Sequence, residues 1–479
     1  MSADAIIWIL LGTFLGILVG AIPGLTGAMV IALAIPLTFS MDPGSALALL
    51  VAMYVGSVSG GLITATLLRI PGTPSSMMTT LDAYPMAARG EAKRALSIGI
   101  LASLVGGILS WGVLVGLAKP IARVSLKMGP LDTFSLVALA LALVVLISRG
   151  NQVAGMFSLM LGMLFSLPGI DPATGEARLT FGLAAIGDGF KQLPVLIGLF
   201  AIPEAFRLAA TTRGDTTIVS REGGAFLRWR EWKAQAGNLF RSSLIGSFIG
   251  VLPGIGANIG SLLAYGAAQT SARDREEFGK GADSAVVASE SANNATVGGA
   301  LVPLISLGIP GSVIDAILLG AFVIHGLQPG PLLFVNSPEI VSTITGSYLL
   351  ANLAMFLMMW FGMGWVRRIL HVPQWILLPA ILTFCVVGSY AFANRMFDVW
   401  VMLGCGLLGV LLQRFRIPLA PFVLGFILAP MAESNLIKAI AIGGNSVSLF
   451  SIVIAVFIAG LVFWSVFRRP KTTPVASGS

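Results

Sequence analysis

The run Gly16-Ile-Leu-Val-Gly20-Ala-Ile-Pro23-Gly24-Leu-Thr26-Gly27 returns later in the chain as Gly246-Ser-Phe-Ile-Gly250-Val-Leu-Pro253-Gly254-Ile-Gly256-Ala257. A second pair follows at nearly the same offset. Ser59-Gly60 and then Ile70-Pro71-Gly72-Thr73 match Gly298-Gly299 and then Ile309-Pro310-Gly311-Ser312. One Pro-Gly match is chance, but two in the same order with matched upstream glycines indicate an internal duplication. Proline lacks an amide hydrogen and glycine tolerates most backbone angles, so Pro-Gly inside an apolar run breaks a helix. The pattern predicts an all-α chain of two repeats carrying matching breaks.

The surroundings of these breaks fix the solvent. Only 10% of the 479 residues are charged, where about 25% is usual for a soluble chain. Positions 5–41, 43–68, 96–118, 242–272, 291–314, 340–366, 373–394 and 445–467 contain no Asp, Glu, Lys or Arg. A bilayer core about 30 Å thick needs about 20 apolar helical residues, so several of these windows span it. Shorter runs at 133–148 and 417–432 read as tilted or half-spanning pieces. The expectation is a polytopic integral membrane protein of roughly 12 transmembrane helices, by that span length, plus broken or re-entrant ones. The start of the chain has no basic region ahead of its apolar run, and that run continues past any small-residue cleavage point. It reads as a retained helix rather than a cleaved leader.

Lysine and arginine collect on cytoplasmic loops. Arg468, Arg469 and Lys471 therefore place the C-terminus in the cytoplasm, as do Arg414/Arg416 and Arg367/Arg368 for their loops. In the N-terminal half the parity closes only with a broken or re-entrant segment near 168–188. The chain divides into a first repeat at 1–205 with breaks at 23–27 and 71–76, and a basic cytoplasmic loop at 206–236. A second repeat follows at 237–468 with breaks at 253–258 and 310–312, then a tail at 469–479. The net charge of +8 follows membrane topology and does not imply nucleic-acid binding. Cys385 and Cys405 lie in apolar runs as small hydrophobes, and no metal-ligand spacing occurs.

Breaks inside lipid survive only where they are buried in protein or face a watery cavity. There a half-helix N-terminus offers free N–H groups to an anion, and a C-terminus offers carbonyls to a cation. The candidate substrate-binding residues are accordingly Pro23, Gly24, Thr26, Gly27, Pro253, Gly254, Gly256, Asn258, Thr73, Ser75 and Ser312. The first and second early breaks are expected to face one another at mid-membrane. Candidate ion-coupling residues are Ser57, Ser59, Asn293, Asn294, Thr296 and Asp315, whose oxygens suit Na⁺ or, for Asp315, a proton. Tyr54, Ser57 and Ser59 occupy the places of Asn293, Thr296 and Gly298. Ordinary helix packing is the competing account of the small residues, and it is preferred for Gly106/Gly107, Gly112/Gly116 and Gly404/Gly406. Glu290 and Asp82 read as structural or interfacial, and His325 and His371 as structural.

The Gly-Ala-Ile-Pro-Gly-Leu-Thr-Gly run, its Gly-Val-Leu-Pro-Gly-Ile-Gly-Ala-Asn counterpart, Asp-Ala-Tyr-Pro-Met-Ala-Ala-Arg-Gly-Glu-Ala and His-Gly-Leu-Gln-Pro-Gly-Pro-Leu-Leu-Phe carry a resemblance. They look like the TctA-type large membrane subunit of tripartite tricarboxylate transporters, from about residue 12 to the last helix. The resemblance implies a bacterial inner-membrane secondary transporter with two partners, a small four-helix membrane subunit and a periplasmic solute-binding protein. Such a system imports a small organic carboxylate, a di- or tricarboxylate or related acid, on a Na⁺ or H⁺ gradient. No cofactor is expected beyond that ion. An ion or solute channel, or a carrier for a non-carboxylate solute, is the alternative. The sequence has no HExxH, GxSxG or P-loop, so an enzyme is not expected.

Overall fold

The structure, a computed structural model, describes residues 3–22, 25–148, 152–171, 174–210, 228–253, 256–362, 374–442 and 448–467. Among them eighteen α-helices account for nearly all regular structure. Pro43–Leu67, Ala92–Ser125, Pro338–Gly362, Met396–Arg414 and Leu419–Ala441 are long and apolar enough to cross a membrane. The expected dozen thus resolves into five clear full-length spans and several shorter apolar helices. Large apolar side chains on the outer faces, such as Ile7, Leu10 and Phe14 or Met156, Phe157 and Met160, are exposed. Lipid is the medium that suits them.

Helix α1 (Ala3–Gly20) enters, breaks, and continues as α2 (Gly27–Ala34) and a 3-10 turn at Ile35–Thr38. Thr26 caps α2 by accepting from the Met29 amide at 3.3 Å. Helix α3 (Pro43–Leu67) starts at an Asp42 cap on the Ser45 amide (2.9 Å) and is buried on every side from Ser45 to Leu67. After Pro71-Gly72 a 3-10 turn (Pro74–Ser76) leads into α4 (Met77–Ala88), followed by the 34-residue α5 (Ala92–Ser125). The second half repeats the order. Helix α9 (Trp229–Val251) breaks and resumes as α10 (Gly256–Ser271), then come the buried α11 (Asp283–Leu307) and α12 (Val313–Ile324). Between the halves lie α6 (Pro130–Ile147), α7 (Gln152–Ser166) and α8 (Gln192–Ala210). The chain closes with α13 (Leu333–Asn336), α14 (Pro338–Gly362), α15 (Gln374–Ala393), α16 (Met396–Arg414), α17 (Leu419–Ala441) and α18 (Leu449–Phe467).

Glycine decides how closely these helices approach. A Cβ on Gly12, Gly16 or Gly20 of α1 would sit 2.4, 2.5 and 2.3 Å from the carbonyl oxygens of Leu49, Met53 and Ser57 on α3. Both indices rise together, so α1 and α3 are parallel. Gly246 and Gly250 of α9 meet Ala292 and Thr296 of α11 in the same way, at 2.3 and 2.4 Å. Small residues at four-residue spacing let helix backbones touch where lipid supplies no hydrophobic drive. Gly106 and Gly107 do the same for α5 against Ser291 and Asn352, and Gly406 against Ile202. Gly112, Gly116 and Gly404 meet nothing within 4 Å, which overturns close packing for those three.

The segment at 168–188 is not a re-entrant helix. It is a surface excursion with a short antiparallel hairpin, β1 (Gly169–Ile170) with β2 (Ala177–Arg178), and a 3-10 turn at Ala184–Ile186. Arg178 ties it down through Glu433 of α17 at 2.6 Å and Asp171 at 3.2 Å. Charged residues and glycines leave this stretch no apolar run to bury. Arg94 at the start of α5 bonds Asp283 at 2.6 Å and Glu231 at 3.3 Å, gathering the first turns of α5, α9 and α11 on one side.

A Cβ at Gly106 would lie 2.1 Å from the Ser291 carbonyl. Gly106→Val is therefore expected to cost about 1–3 kcal/mol or more of overpacking, seen as a lower detergent Tm. Gly112→Ala, facing open space, should leave Tm unchanged.

Candidate functional site

The two buried helices α3 and α11 meet at the centre of the molecule. Ser59 Oγ donates to Asn294 Oδ1 at 2.7 Å, and both side chains are buried. Five residues earlier on α3, the Tyr54 hydroxyl meets Ser312 Oγ at 3.3 Å, beyond the C-terminal end of α11. Stepping forward on α3 moves the partner backward along the other half, so α3 and α11 run antiparallel. Tyr348 of α14 secures the crossing, donating to the Asn294 carbonyl at 3.1 Å and sharing a 2.7 Å bond with Ser110. Asn294 Nδ2 bonds the Glu290 carbonyl at 3.3 Å.

Each early break packs against the late break of the opposite half. The N-terminus of α2 lies on the first turn of α12: a Cβ at Gly27 would meet Ser57 Oγ at 2.5 Å and Ile314 Cδ1 at 3.1 Å. Helix α10 packs in the same manner on the turn at Pro74–Ser76 and on α4. The expected face-to-face pairing of the two early breaks is replaced by this crossed arrangement, because the antiparallel crossing of α3 and α11 carries each Pro-Gly across to the other half. The late breaks also abut their own early ones. A Cβ at Gly72 would fall 2.5 Å from the Gly20 carbonyl, and one at Gly311 would fall 2.7 Å from the Gly250 carbonyl.

The predicted side chains separate into two groups, one at each crossing of an early break with the opposite late break. In the first, Thr26 and Ser312 cap α2 and α12, each accepting a 3.3 Å bond from an amide three residues on. Tyr54 and Ser57 border them, and Ser57 Oγ donates to the Tyr54 carbonyl at 2.9 Å. Asp315, in the first turn of α12, is fully buried, and neither carboxylate oxygen has a hydrogen-bond partner among the described residues. In the second group, Thr73 Oγ1 and Ser75 Oγ are 3.0 Å apart, and Ser76 Oγ accepts from the Thr73 amide at 3.2 Å and donates to its carbonyl at 2.8 Å. Thr296 Oγ1 donates to the Ala292 carbonyl at 2.8 Å. Neither polar atom of the buried Asn293 side chain has a hydrogen-bond partner among the described residues. Ser312 stands beside the Asp315 carboxylate and Asn293 beside Glu290, in neither case with hydrogen-bond geometry.

Other predicted positions fall differently. Asn258 is exposed on α10, and Gly256 adopts a left-handed φ of 68° where α10 begins. Pro253 is half-buried at the end of the α9 turn. Pro23, Gly24 and Gly254 lie outside the described residues, as does His371. His325 Nε2 pairs with Thr38 Oγ1 at 3.0 Å.

Two buried carboxylates are built into the scaffold. Glu290 accepts from Thr79 at 2.5 Å and from Ser103 at 3.2 Å. Asp82 Oδ1 accepts the amides of Gly279, Gly281 and Ala282 at 2.9, 2.9 and 2.8 Å, and Oδ2 accepts from Tyr265 at 2.8 Å. Thr79, Ser103 and Tyr265 were not singled out from the sequence. They lie far along the chain from their carboxylates, or carry no signal beyond being hydroxyls. A cavity of about 710 Å³ lies elsewhere, between Trp8, Leu15, Leu33 and Phe384 with Asp4 and Asp42 among its walls. Its mainly apolar lining does not suit a multiply charged anion.

Residues 6–424 match the Tripartite tricarboxylate transporter TctA family. The chain belongs to the TctA family. It is therefore a multi-pass membrane protein of a transporter family. An Agrobacterium vitis protein, described as "Uncharacterized 52.8 kDa protein in TAR-I ttuC' 3'region", is 34% identical over 93% of this chain and 89% of its own length. A second from the same organism, "Uncharacterized protein in TAR-II ttuC' 3'region", is 35% identical over 43% of this chain and 85% of its own length. No solved structure matches significantly.

In this TctA-family chain Asp82 joins α4 to the α10–α11 connection. Asp82→Ala strips the acceptor from three amides and a tyrosine. It should cost about 3 kcal/mol or more, since hydrogen bonds to charged groups contribute about 1.5–3 kcal/mol each. Thermal unfolding in detergent measures the loss.

Proposed function

We propose that the chain is the large, path-forming subunit of a secondary importer for a small organic carboxylate, coupled to a Na⁺ or H⁺ gradient. The observation that carries this reading is the crossed pairing of helix breaks together with Asp315 and Asn293, both fully buried and without a hydrogen-bond partner among the described residues. An unsatisfied carboxylate or amide in the membrane interior is costly, so Asp315 and Asn293 are expected to find their partners in transported species. The antiparallel α3 and α11, with their matched glycine seams, support reading residues 1–205 and 237–468 as inverted repeats. Two such halves give a carrier two related states that open to opposite sides.

The family supports partners, and we take these to be a small four-helix membrane subunit and a periplasmic solute-binding protein. The binding protein would deliver a di- or tricarboxylate. The family supports a bacterial inner-membrane location, and the basic loops support a cytoplasmic C-terminus. The 206–236 stretch would then connect the halves on that side. Half-helix N-termini and neutral hydroxyl and amide groups suit a carboxylate, which accepts hydrogen bonds.

Reconstitution with the neighbouring binding protein and small subunit tests the proposal. Saturable accumulation that requires an imposed Na⁺ or pH gradient is expected, whereas gradient-independent, non-saturating flux would indicate a channel. Tyr54→Phe removes the hydroxyl that reaches Ser312 across the halves. It should lower the uptake rate about tenfold, as for the loss of a hydrogen bond worth about 1.5 kcal/mol, without changing the amount of protein in the membrane.

A further inference from the structure

Superimposing the sequence repeat on the two groups exposes a difference in charge. Tyr54 of the first group corresponds to Asn293 of the second, Ser57 to Thr296, Ser312 to Thr73, and Asp315 to Ser76. The first group therefore holds a buried carboxylate where its counterpart holds a hydroxyl that is bonded to its own turn. Glu290 stands beside Asn293 in the second, but Thr79 and Ser103 donate to its carboxylate, whereas Asp315 has no such donor among the described residues. A duplicated site has been kept in both halves with the sign of one position changed.

We infer that the two groups are specialised: Tyr54, Ser57, Ser312 and Asp315 seat a sodium ion, while Thr73, Ser75 and Asn293 receive the carboxylate. The inference rests on the carrier reading above and divides its ligands between the halves. Three observations carry it. Both oxygens of Asp315 are buried and, among the described residues, no hydrogen-bond donor, lysine, arginine or histidine bonds them. The hydroxyls of Tyr54 and Ser312 converge at 3.3 Å beside the first turn of α12, and Ser57 Oγ lies against the start of α2. Several oxygens around one carboxylate match a hard cation, which takes oxygen ligands. A bound proton would need only one acceptor. The carboxylate substrate is left with the second group, where the nearby Glu290 already has its donors in Thr79 and Ser103. There the unpartnered Asn293 Nδ2 is a donor that a carboxylate oxygen can accept.

The assignment is testable on the full-length chain in detergent, with Na⁺ alone as the probe. Replacing choline chloride by sodium chloride at constant ionic strength should raise Tm in a saturable way, because ligands that bind only the folded state stabilise it. Asp315→Asn should abolish that rise while keeping the choline Tm. Ser312→Ala should require higher sodium for the same rise, a second check should Asp315→Asn fold poorly. Asn293→Ala and Thr73→Ala should retain the full sodium response. A sodium rise that persists in Asp315→Asn, or that is lost in Asn293→Ala, overturns the division. Reconstituted protein that accumulates solute on a proton gradient with no sodium response overturns the sodium seat and leaves the carrier reading standing. Sodium binding as described with no gradient-driven accumulation keeps the seat and overturns the carrier.

Discussion

Direct backbone contact between helices, made possible by glycine, is the constraint on which the architecture rests. Lipid offers no hydrophobic reward for bringing helices together, so their association depends on dispersion and on polar contacts that need short distances. The seams along Gly12, Gly16 and Gly20, and along Gly246 and Gly250, bring α1 onto α3 and α9 onto α11 until carbonyls stand where side chains would otherwise be. That closeness buries α3 on all sides and leaves room at the end of each seam for the helix to open. Without it the breaks would face hydrocarbon, where unsatisfied amides cost several kcal/mol each by order of magnitude.

Burial on this scale makes every polar atom in the centre consequential. Most are answered locally: Ser57 and Thr296 bond their own helices, Ser59 bonds Asn294, and Tyr348 bonds the Asn294 backbone. Glu290 and Asp82 are answered by hydroxyls and amides from distant segments, which makes them struts between α4, α5, α10 and α11. Asp315 and Asn293 are exceptions that lie beside the interrupted helices. Carboxylates of the same chemistry thus have opposite meanings, decided by whether the protein itself supplies their partners.

Charge-free windows of 20 residues or more and duplicated Pro-Gly runs can specify, by themselves, a helical membrane protein with repeated interruptions. Length and composition alone decide the solvent, and proline and glycine act on the backbone locally. The position of Asp315 between two charge-free runs was also legible, and the structure buries it fully. The motifs were specific enough to point to the family that the match over residues 6–424 shows.

Tertiary structure alone decided what pairs with what. The repeat suggested that the two early breaks meet, but the antiparallel crossing of α3 and α11 joins each to the late break of the other half. Gly112 and Gly106 look alike in sequence, yet one faces open space and the other a carbonyl. Asn258, beside a Pro-Gly break, is exposed, while Asn293 at the centre of α11 is buried without a side-chain hydrogen bond among the described residues. Such outcomes follow from contacts between residues far apart in the chain, which no local property of the chain encodes.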